Sequence, residues 1–93
     1  MVKLIQRTVK KIYDGDTFKV GKKIGNTDVI RIAGLNAPEK WQYGGRKATN
    51  RLRGLIGGKK VKIKPLAKDK YGRIIAKVIY KGKDVARILR KSR

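Results

Sequence analysis

Short segments rich in β-branched residues, separated by glycine-containing turns, run through this 93-residue sequence and limit the folds it can adopt. β-Branched residues favour strands, and glycine supplies the positive φ angles that tight turns need. Asp14-Gly15 is a strong hairpin signal, and we expect Gly21 and Pro65 to end the second and fourth strands. The pattern predicts five strands, at residues 2–13, 17–20, 29–33, 59–64 and 74–80.

Two helices are predicted among these strands. Residues 45–56 carry one apolar stripe at helical spacing, and Gly57-Gly58 follows as a typical helix end. The stripe consists of Ala48, Leu52, Leu55 and Ile56. Asp84 can cap a second, short helix. The residues of that helix expected to face inward are Val85, Ile88 and Leu89.

The order of these elements indicates the fold class. Five strands with a helix between the third and the fourth is the layout of an OB-type barrel. We therefore predict a mainly β (α+β) fold: a five-stranded OB-fold barrel with one helix between strands 3 and 4 and a short C-terminal helix. A chain of this length can bury one modest core, so residues 1–93 are predicted to form a single domain.

The charge of the chain points to its partner. There are 27 Lys and Arg against 6 Asp and Glu, a formal net charge of +21. Nucleic acid is the first candidate, because each neutralised phosphate releases condensed counterions. A charge-rich thermostable protein is the alternative explanation, but it predicts abundant Glu beside Lys, and acids are scarce here.

A membrane partner is not expected from this sequence. It has no basic amphipathic helix with a large aromatic face, and no apolar run approaches the roughly 18 residues of a membrane span. Residues 1–11 are broken by charges too often to form a signal peptide. We therefore expect a cytoplasmic protein, and we expect it to be a monomer.

Two residue types are missing from the chain, cysteine and histidine. Without cysteine there are no disulfides and no thiolate metal sites. Without histidine the usual general base, the usual zinc ligand and every Ser-His-Asp arrangement are excluded. Acid–base chemistry must therefore rest on Asp, Glu, Lys or Tyr.

Four of the 6 acidic residues lie in turn segments that contain Gly or Pro: Asp14, Asp16, Glu39 and Asp69. Neighbouring carboxylates repel one another and any phosphate ligand, so their presence indicates a cation or a reaction that needs them. A metal-assisted phosphodiester hydrolase would show this placement. Taken singly, each feature has a simpler explanation: a hairpin turn for DGDT, or a helix cap for Glu39.

Three motifs carry a family resemblance. DGDTFKV, IRIAGLNAPE with a following YG–basic–Ala helix start, and DKYGRIIA occur in this order and together resemble the staphylococcal nuclease (thermonuclease-like) family. The resemblance covers residues 9–89. It implies an OB barrel carrying helices and calcium-dependent hydrolysis of DNA and RNA. We keep Mg²⁺ and Mn²⁺ as alternative cations.

The resemblance also implies catalytic roles for three residues. Arg31 and Arg73 correspond to arginines that contact the scissile phosphate, and Glu39 corresponds to the proposed general base. The chemistry is consistent with these roles, because two guanidiniums can stabilise charge that develops on a phosphate in the transition state. Alone, both arginines would be interpreted as ordinary surface residues of a basic chain.

A metal site is implied around the first acidic turn. Asp16 corresponds to a calcium-ligating carboxylate and Ala37 to a residue that ligates through its backbone oxygen. Asp14 and Thr17 correspond to residues that surround the metal. Asn36 stands where the family has a second carboxylate, so one negative charge is missing. We expect weaker metal binding or a changed metal preference as a result.

Substrate is also expected to bind to basic and aromatic side chains. The predicted nucleic-acid-binding residues are Lys59, Lys60, Lys62, Lys64, Lys70, Tyr71, Trp41 and Tyr43. Alternating Lys with apolar residues over 59–64 predicts a half-buried strand with a basic outer face. Trp41 can be either a core residue or a stacking platform for an unpaired base.

Three functions are compatible with these observations. The first is a small metal-dependent nuclease, with calcium as the expected cation. The second is an OB-fold nucleic-acid-binding protein with no or weak catalysis, because Asn36 makes the metal site degenerate. The third is an RNA-associated protein that uses its charge for packaging or ribosome contact.

Overall fold

The computed structural model describes residues 4–39 and 41–91. Its elements, in chain order, are β1 (Ile5–Asp14), β2 (Thr17–Ile24), β3 (Thr27–Ile32), α1 (Gly45–Ile56), β4 (Lys60–Lys68), β5 (Ile74–Tyr80), β6 (Lys83–Asp84) and α2 (Val85–Lys91). The strands follow the order β3-β2-β1-β4-β5-β6, and a parallel pairing of β3 with β5 closes the first five into a barrel. The predicted OB-type barrel with two helices is confirmed. The predicted start of the first strand at residue 2 lies outside the described residues.

Two predicted strand ends are wrong. β2 continues through Gly21 to Ile24, and its register with β3 is irregular between Lys19 and Ile24. β4 continues past Pro65, where its register with β5 shifts. A proline without an N–H is tolerated at such an irregularity, because the ladder needs no donor there. The sequence also gave no sign of β6, a strand of 2 residues.

Both helices lie where the sequence predicts them. In α1, Leu52 and Ile56 are fully buried, and Ala48 and Leu55 are half-buried. The helix ends at Gly57, whose N–H donates to the carbonyl of Arg53.

The cap of α2 is also confirmed. The Asp84 carboxylate accepts a hydrogen bond from the N–H of Ala86 at 3.1 Å. Val85 and Leu89 are buried and Ile88 is half-buried, while the buried Ala86 was not predicted.

The core fills the barrel and extends beneath both helices. It is built from aliphatic residues around one aromatic ring, that of the fully buried Phe18. The larger fully buried members are Ile30, Ile32, Leu52, Ile56 and Ile63. Within residues 4–39 and 41–91, no helix combines the length and apolar character needed to cross a membrane.

The strand register brings the functional segments to one end of this barrel. Thr17 pairs with Asp14 on β1 and with Arg31 on β3. Arg31 in turn pairs with Ile75 on β5, two residues after Arg73. The acidic turn and both predicted catalytic arginines therefore lie around the same rim of the barrel.

Gly15 packs this rim against the helix. It is buried, and a Cβ added to it would lie 2.6 Å from the Cβ of Ala37 and 2.7 Å from the Cβ of Ala48. Real Cβ atoms do not approach so closely, so only glycine allows the β1–β2 turn to contact both the loop after β3 and α1. This close contact fixes the position of the acidic turn.

We predict that Gly15→Ala destabilises the protein by about 1–3 kcal/mol, because the added methyl group must push the turn away from its neighbours. Urea denaturation measures this change. Gly54→Ala is the matched control, since its Cβ would meet nothing within 4 Å and it lies inside α1. The control is expected to gain up to about 1 kcal/mol from helix propensity. Equal stability of the two variants would contradict the close packing at Gly15.

Candidate functional site

The Asp16 carboxylate connects three segments of the rim. Its side chain is 8% exposed, and its Oδ1 accepts a hydrogen bond from the Thr17 hydroxyl at 2.9 Å. Its Oδ2 accepts from the N–H of Ala37 at 3.2 Å and lies 3.6 Å from Nη2 of Arg31. The β1–β2 turn, β3 and the loop after β3 thus meet at one buried negative charge.

Asp14 adds a second carboxylate beside Asp16. Its Oδ1 accepts a hydrogen bond from the Asp16 N–H at 3.1 Å. Burial, and then the interaction with the Asp16 carboxyl, raise the pKa of Asp14 from 3.8 to about 6. The turn therefore holds two carboxylates that repel each other when both are ionised.

The loop after β3 is fixed by one contact with the core and one with α2. Leu35 inserts into the core, and Nη1 of Arg90 on α2 donates to the carbonyl oxygen of Gly34 at 2.6 Å. Gly34 has φ of 80°. This backbone conformation is costly for any residue that carries a side chain. These contacts present the exposed Asn36 and the half-buried Ala37 next to the acidic turn.

Glu39 lies further along the same loop, with an exposed side chain. Its N–H donates to Oε1 of Gln42 at 2.7 Å, and its carbonyl accepts from the Gln42 N–H at 2.9 Å. Helix α1 has Gly44 at its N-cap and no acidic residue in its first turn. The alternative in which Glu39 caps the helix is therefore wrong.

Arg73 is held by Asp69 across the β4–β5 turn. Its Nε donates to Oδ2 of Asp69 at 2.7 Å, and its backbone N–H donates to Oδ1 at 2.9 Å. The N–H of Tyr71 donates to the same Oδ1 at 3.0 Å. Partial burial opposes ionisation, but these hydrogen bonds, those from Arg73 first, hold the pKa of Asp69 below its usual range. The guanidinium is thereby fixed on the rim that carries Arg31.

Three aromatic side chains on the segments beside or after this rim face solvent. Tyr71 is 72% exposed, with the guanidinium of Arg73 and the ammonium of Lys70 5.4 and 5.3 Å from its ring centroid. Trp41 is 78% exposed, which excludes its interpretation as a core residue, and Tyr43 is fully exposed. The role of these rings in stacking stays a prediction.

The predicted lysines of β4 do not join the site. Lys60 and Lys62 are exposed and alternate with the buried Val61 and Ile63, as the sequence predicts. Lys59 precedes the strand, and Lys60 begins it at the end remote from the β4–β5 turn. From Lys60 to Lys68 the strand extends roughly 25 Å. Lys64 lies midway and is half-buried.

Sequence reasoning missed three supporting contacts of this site. They are the N–H of Ala37 on Asp16, the Asp69 clamp on Arg73, and the Arg90 contact with the loop carbonyl. The DKYGR motif carried the signal for the second, since a turn places an Asp and an Arg four residues apart together. Among residues 4–39 and 41–91, no group of three or more Asp, Glu, His or Cys side chains could hold a metal ion. A metal at this rim would therefore depend on amide and backbone oxygens as well.

Residues 29–92 match the sequence profile of the family described as Staphylococcal nuclease homologue. The chain belongs to the staphylococcal nuclease family. The matched range contains Arg31, Glu39 and Arg73, and the acidic turn precedes it.

Curated relatives of this family member are endonucleases by name. An uncharacterized endonuclease of Escherichia coli is 37% identical over 76 residues, covering 80% of this chain and 48% of the relative. An uncharacterized endonuclease of Haemophilus influenzae is 36% identical over 77 residues, covering 83% of this chain and 43% of the relative. The probable endonuclease LCL3 of Komagataella phaffii is 39% identical over 64 residues, covering 61% and 28%. The chain spans about half, or less, of the length of these relatives.

We predict that Asp69→Asn costs this staphylococcal nuclease family member about 1–2 kcal/mol of stability at neutral pH, because an amide replaces a charged acceptor of three hydrogen bonds. The folded pKa of Asp69 is lowered, so its stabilisation is complete above the ordinary, unfolded pKa of 3.8 and is lost as pH falls through the folded pKa. The difference between wild type and variant should therefore shrink in strong acid.

Denaturant titrations at several pH values measure this dependence. Asp28→Asn is the control, since Asp28 makes a partly exposed ion pair with Lys19 at 3.8 Å. It should change stability by less than about 1 kcal/mol. A loss at Asp69 that is the same at neutral and at strongly acidic pH would show that the charged clamp is not the cause.

Proposed function

We propose that this protein is a metal-dependent nuclease that hydrolyses phosphodiester bonds of DNA or RNA, with Ca²⁺ as the expected cation and Mg²⁺ or Mn²⁺ as alternatives. The observation that carries the proposal is the meeting of two acid–arginine pairs on one rim, Asp16 with Arg31 and Asp69 with Arg73. The net charge of +21 and the names of the relatives support nucleic acid as substrate.

The donor atoms around Asp16 fit a hard cation. Each oxygen of this carboxylate takes one hydrogen bond, and a carboxylate offers about four acceptor positions in all. The same turn and loop also carry the carboxylate of Asp14, the amide oxygen of Asn36 and the backbone oxygen of Ala37. Oxygen ligands without sulfur or imidazole suit Ca²⁺, Mg²⁺ or Mn²⁺ rather than zinc. Such a cation would neutralise the attacked phosphate and make a bound water more acidic.

The two arginines would bind the phosphate from neighbouring strands. A guanidinium has five N–H donors in a planar fork, and the contacts with Asp16 and Asp69 occupy only part of each fork. Since the acids hold them in place, both charges are oriented before substrate arrives. Donors fixed in advance stabilise the charge that builds on the phosphate oxygens in the transition state.

Glu39 would take the proton from the attacking water. The chain contains no histidine, and Asp16 and Asp69 are already engaged with arginines. The Glu39 side chain is exposed on the loop that also carries Ala37, while its backbone is fixed by Gln42. A general base must lie within hydrogen-bond reach of the water it deprotonates, and Glu39 is the carboxylate on this loop that would fill that role.

Asn36 favours a second candidate function. An amide in place of a carboxylate removes one negative charge from the cation site, so the metal could bind too weakly for catalysis. The same barrel would then be a nucleic-acid-binding protein with a degenerate metal site. The two candidates differ in whether any cation supports cleavage.

We predict that the protein cleaves single-stranded or duplex DNA, or RNA, in the presence of Ca²⁺, Mg²⁺ or Mn²⁺ and that a chelator stops the reaction. Glu39→Gln and Arg73→Ala should each lower the rate by about 10²–10⁴-fold, because they remove the proton acceptor and a phosphate ligand. Gel assays of labelled substrates measure the products.

Arg87→Ala is the control for loss of positive charge, since Arg87 is exposed on α2 away from the rim. It should retain nearly all activity. Tight binding without cleavage under every cation would support the second candidate instead, and cleavage that persists in Glu39→Gln would contradict the role of that residue.

A further inference from the structure

A basic groove lies on the outer face of β1, β2 and β4. It is open to solvent, has a volume of about 470 Å³, and is lined by Arg7, Thr8, Lys10, Gly21, Lys22 and Lys60, among others. We call it the β1–β2–β4 groove. Three of its four cations, Arg7, Lys10 and Lys22, belong to none of the sequence motifs discussed above.

The strand register explains how the groove forms. Thr8 on β1 lies opposite Lys60 on β4. On the other side, a Cβ on Gly21 would lie 2.9 Å from Cε of Lys10. Because Gly21 has no side chain, Lys10 can lie across β2 and line the floor of the groove. The glycine does not have a positive φ, so no turn requires it. Its effect is to open this surface.

Arg7 is fixed inside the groove by backbone carbonyls. Its Nε donates to the carbonyl of Lys22 at 3.0 Å, and Nη1 donates to that of Gln6 at 2.9 Å. Nη2 lies 3.4 Å from the carbonyl oxygen of Lys23. These contacts orient the guanidinium without neutralising it, and they leave other N–H donors for a ligand. Because the Arg7 side chain is already ordered, an anion that binds here would lose little affinity to the entropy cost of immobilising it.

Within the described part of the chain, no acidic side chain pairs with a cation of the groove. The ion pairs among residues 4–39 and 41–91 join Lys19 to Asp28, Arg31 to Asp16 and Arg73 to Asp69, and none includes a groove cation. Four positive charges are therefore gathered on one surface and repel each other. A ligand with several negative charges would relieve this repulsion and release counterions.

The groove lies far from the candidate active site. Thr8 and Asp14 are six positions apart on β1, which corresponds to roughly 20 Å of extended strand. On β4 the groove residue Lys60 is at the end remote from the Arg73 turn. A short oligonucleotide bound at the rim would thus leave the groove empty.

We propose that the β1–β2–β4 groove is a second nucleic-acid-binding site, which binds the phosphate backbone without reading bases. The choice of nucleic acid as the polyanion rests on the function proposed above. The groove holds either a remote segment of the polymer being cleaved or a second molecule. It therefore keeps the protein on long substrates while the rim is empty between cleavage events.

Binding stoichiometry tests the second site. With single-stranded trinucleotides, which are too short to reach from the rim to the groove, in low salt and a chelator that prevents cleavage, calorimetry should show two bound per wild-type protein. Lys10→Ala, Lys22→Ala and Lys60→Ala combined should leave one. For a longer strand, the slope of the logarithm of the binding constant against the logarithm of salt concentration should also become shallower by about 2. Each of the three lost phosphate contacts accounts for about 0.7 of this change.

Two further variants separate the groove from total charge and from misfolding. Lys81→Ala, Lys83→Ala and Lys91→Ala combined remove the same charge from exposed positions elsewhere and should leave two sites. Gly21→Leu fills the groove floor without changing charge and should also leave one site. Thermal melting checks that each variant is folded.

The outcomes separate this proposal from the proposed function. An unchanged number of bound trinucleotides in the groove triple variant, or the same loss in both triple variants, would overturn the second site even if metal-dependent cleavage is observed. Two sites that depend on the groove would support it even if no cation gives cleavage, in which case the nuclease proposal alone would fail.

Discussion

The buried carboxylate of Asp16 is the contact on which the arrangement of the rim depends. A negative charge is costly to bury unless hydrogen bonds and opposite charge compensate it. Thr17, the N–H of Ala37 and Arg31 together supply that compensation. Each belongs to a different part of the rim, so satisfying one carboxylate fixes the hairpin turn, β3 and the following loop relative to one another.

The rest of the barrel supports this contact through packing. Gly15 lets the turn rest directly on Ala37 and Ala48, and Leu35 anchors the loop in the core. Arg90 connects the same loop to α2. Asp69 performs for Arg73 the task that Asp16 performs for Arg31, so both arginines are oriented by acids rather than left free in solvent.

Much of this fold could be predicted from the sequence because its signals are local. The turn at Asp14-Gly15, the helical stripe and the cap at Asp84 each depend on neighbouring residues. Gly21 and Pro65 led to wrong strand ends, because their effect depends on a neighbouring strand that the sequence does not reveal. Lys10 of β1 lies across the glycine, and the proline falls where the register of β4 with β5 shifts. The contacts of Asp16 with Ala37 and of Arg90 with Gly34 join residues 21 and 56 positions apart, which no spacing pattern indicates.

Calcium titration by calorimetry tests most directly whether the rim around Asp16 is a cation site. We expect measurable binding to the unmodified protein, loss of binding in Asp16→Asn, and at least about tenfold tighter binding in Asn36→Asp, since affinity rises with the number of charged ligands. Binding that is the same in all three proteins would contradict it and would place the cation, if one binds, elsewhere on the molecule.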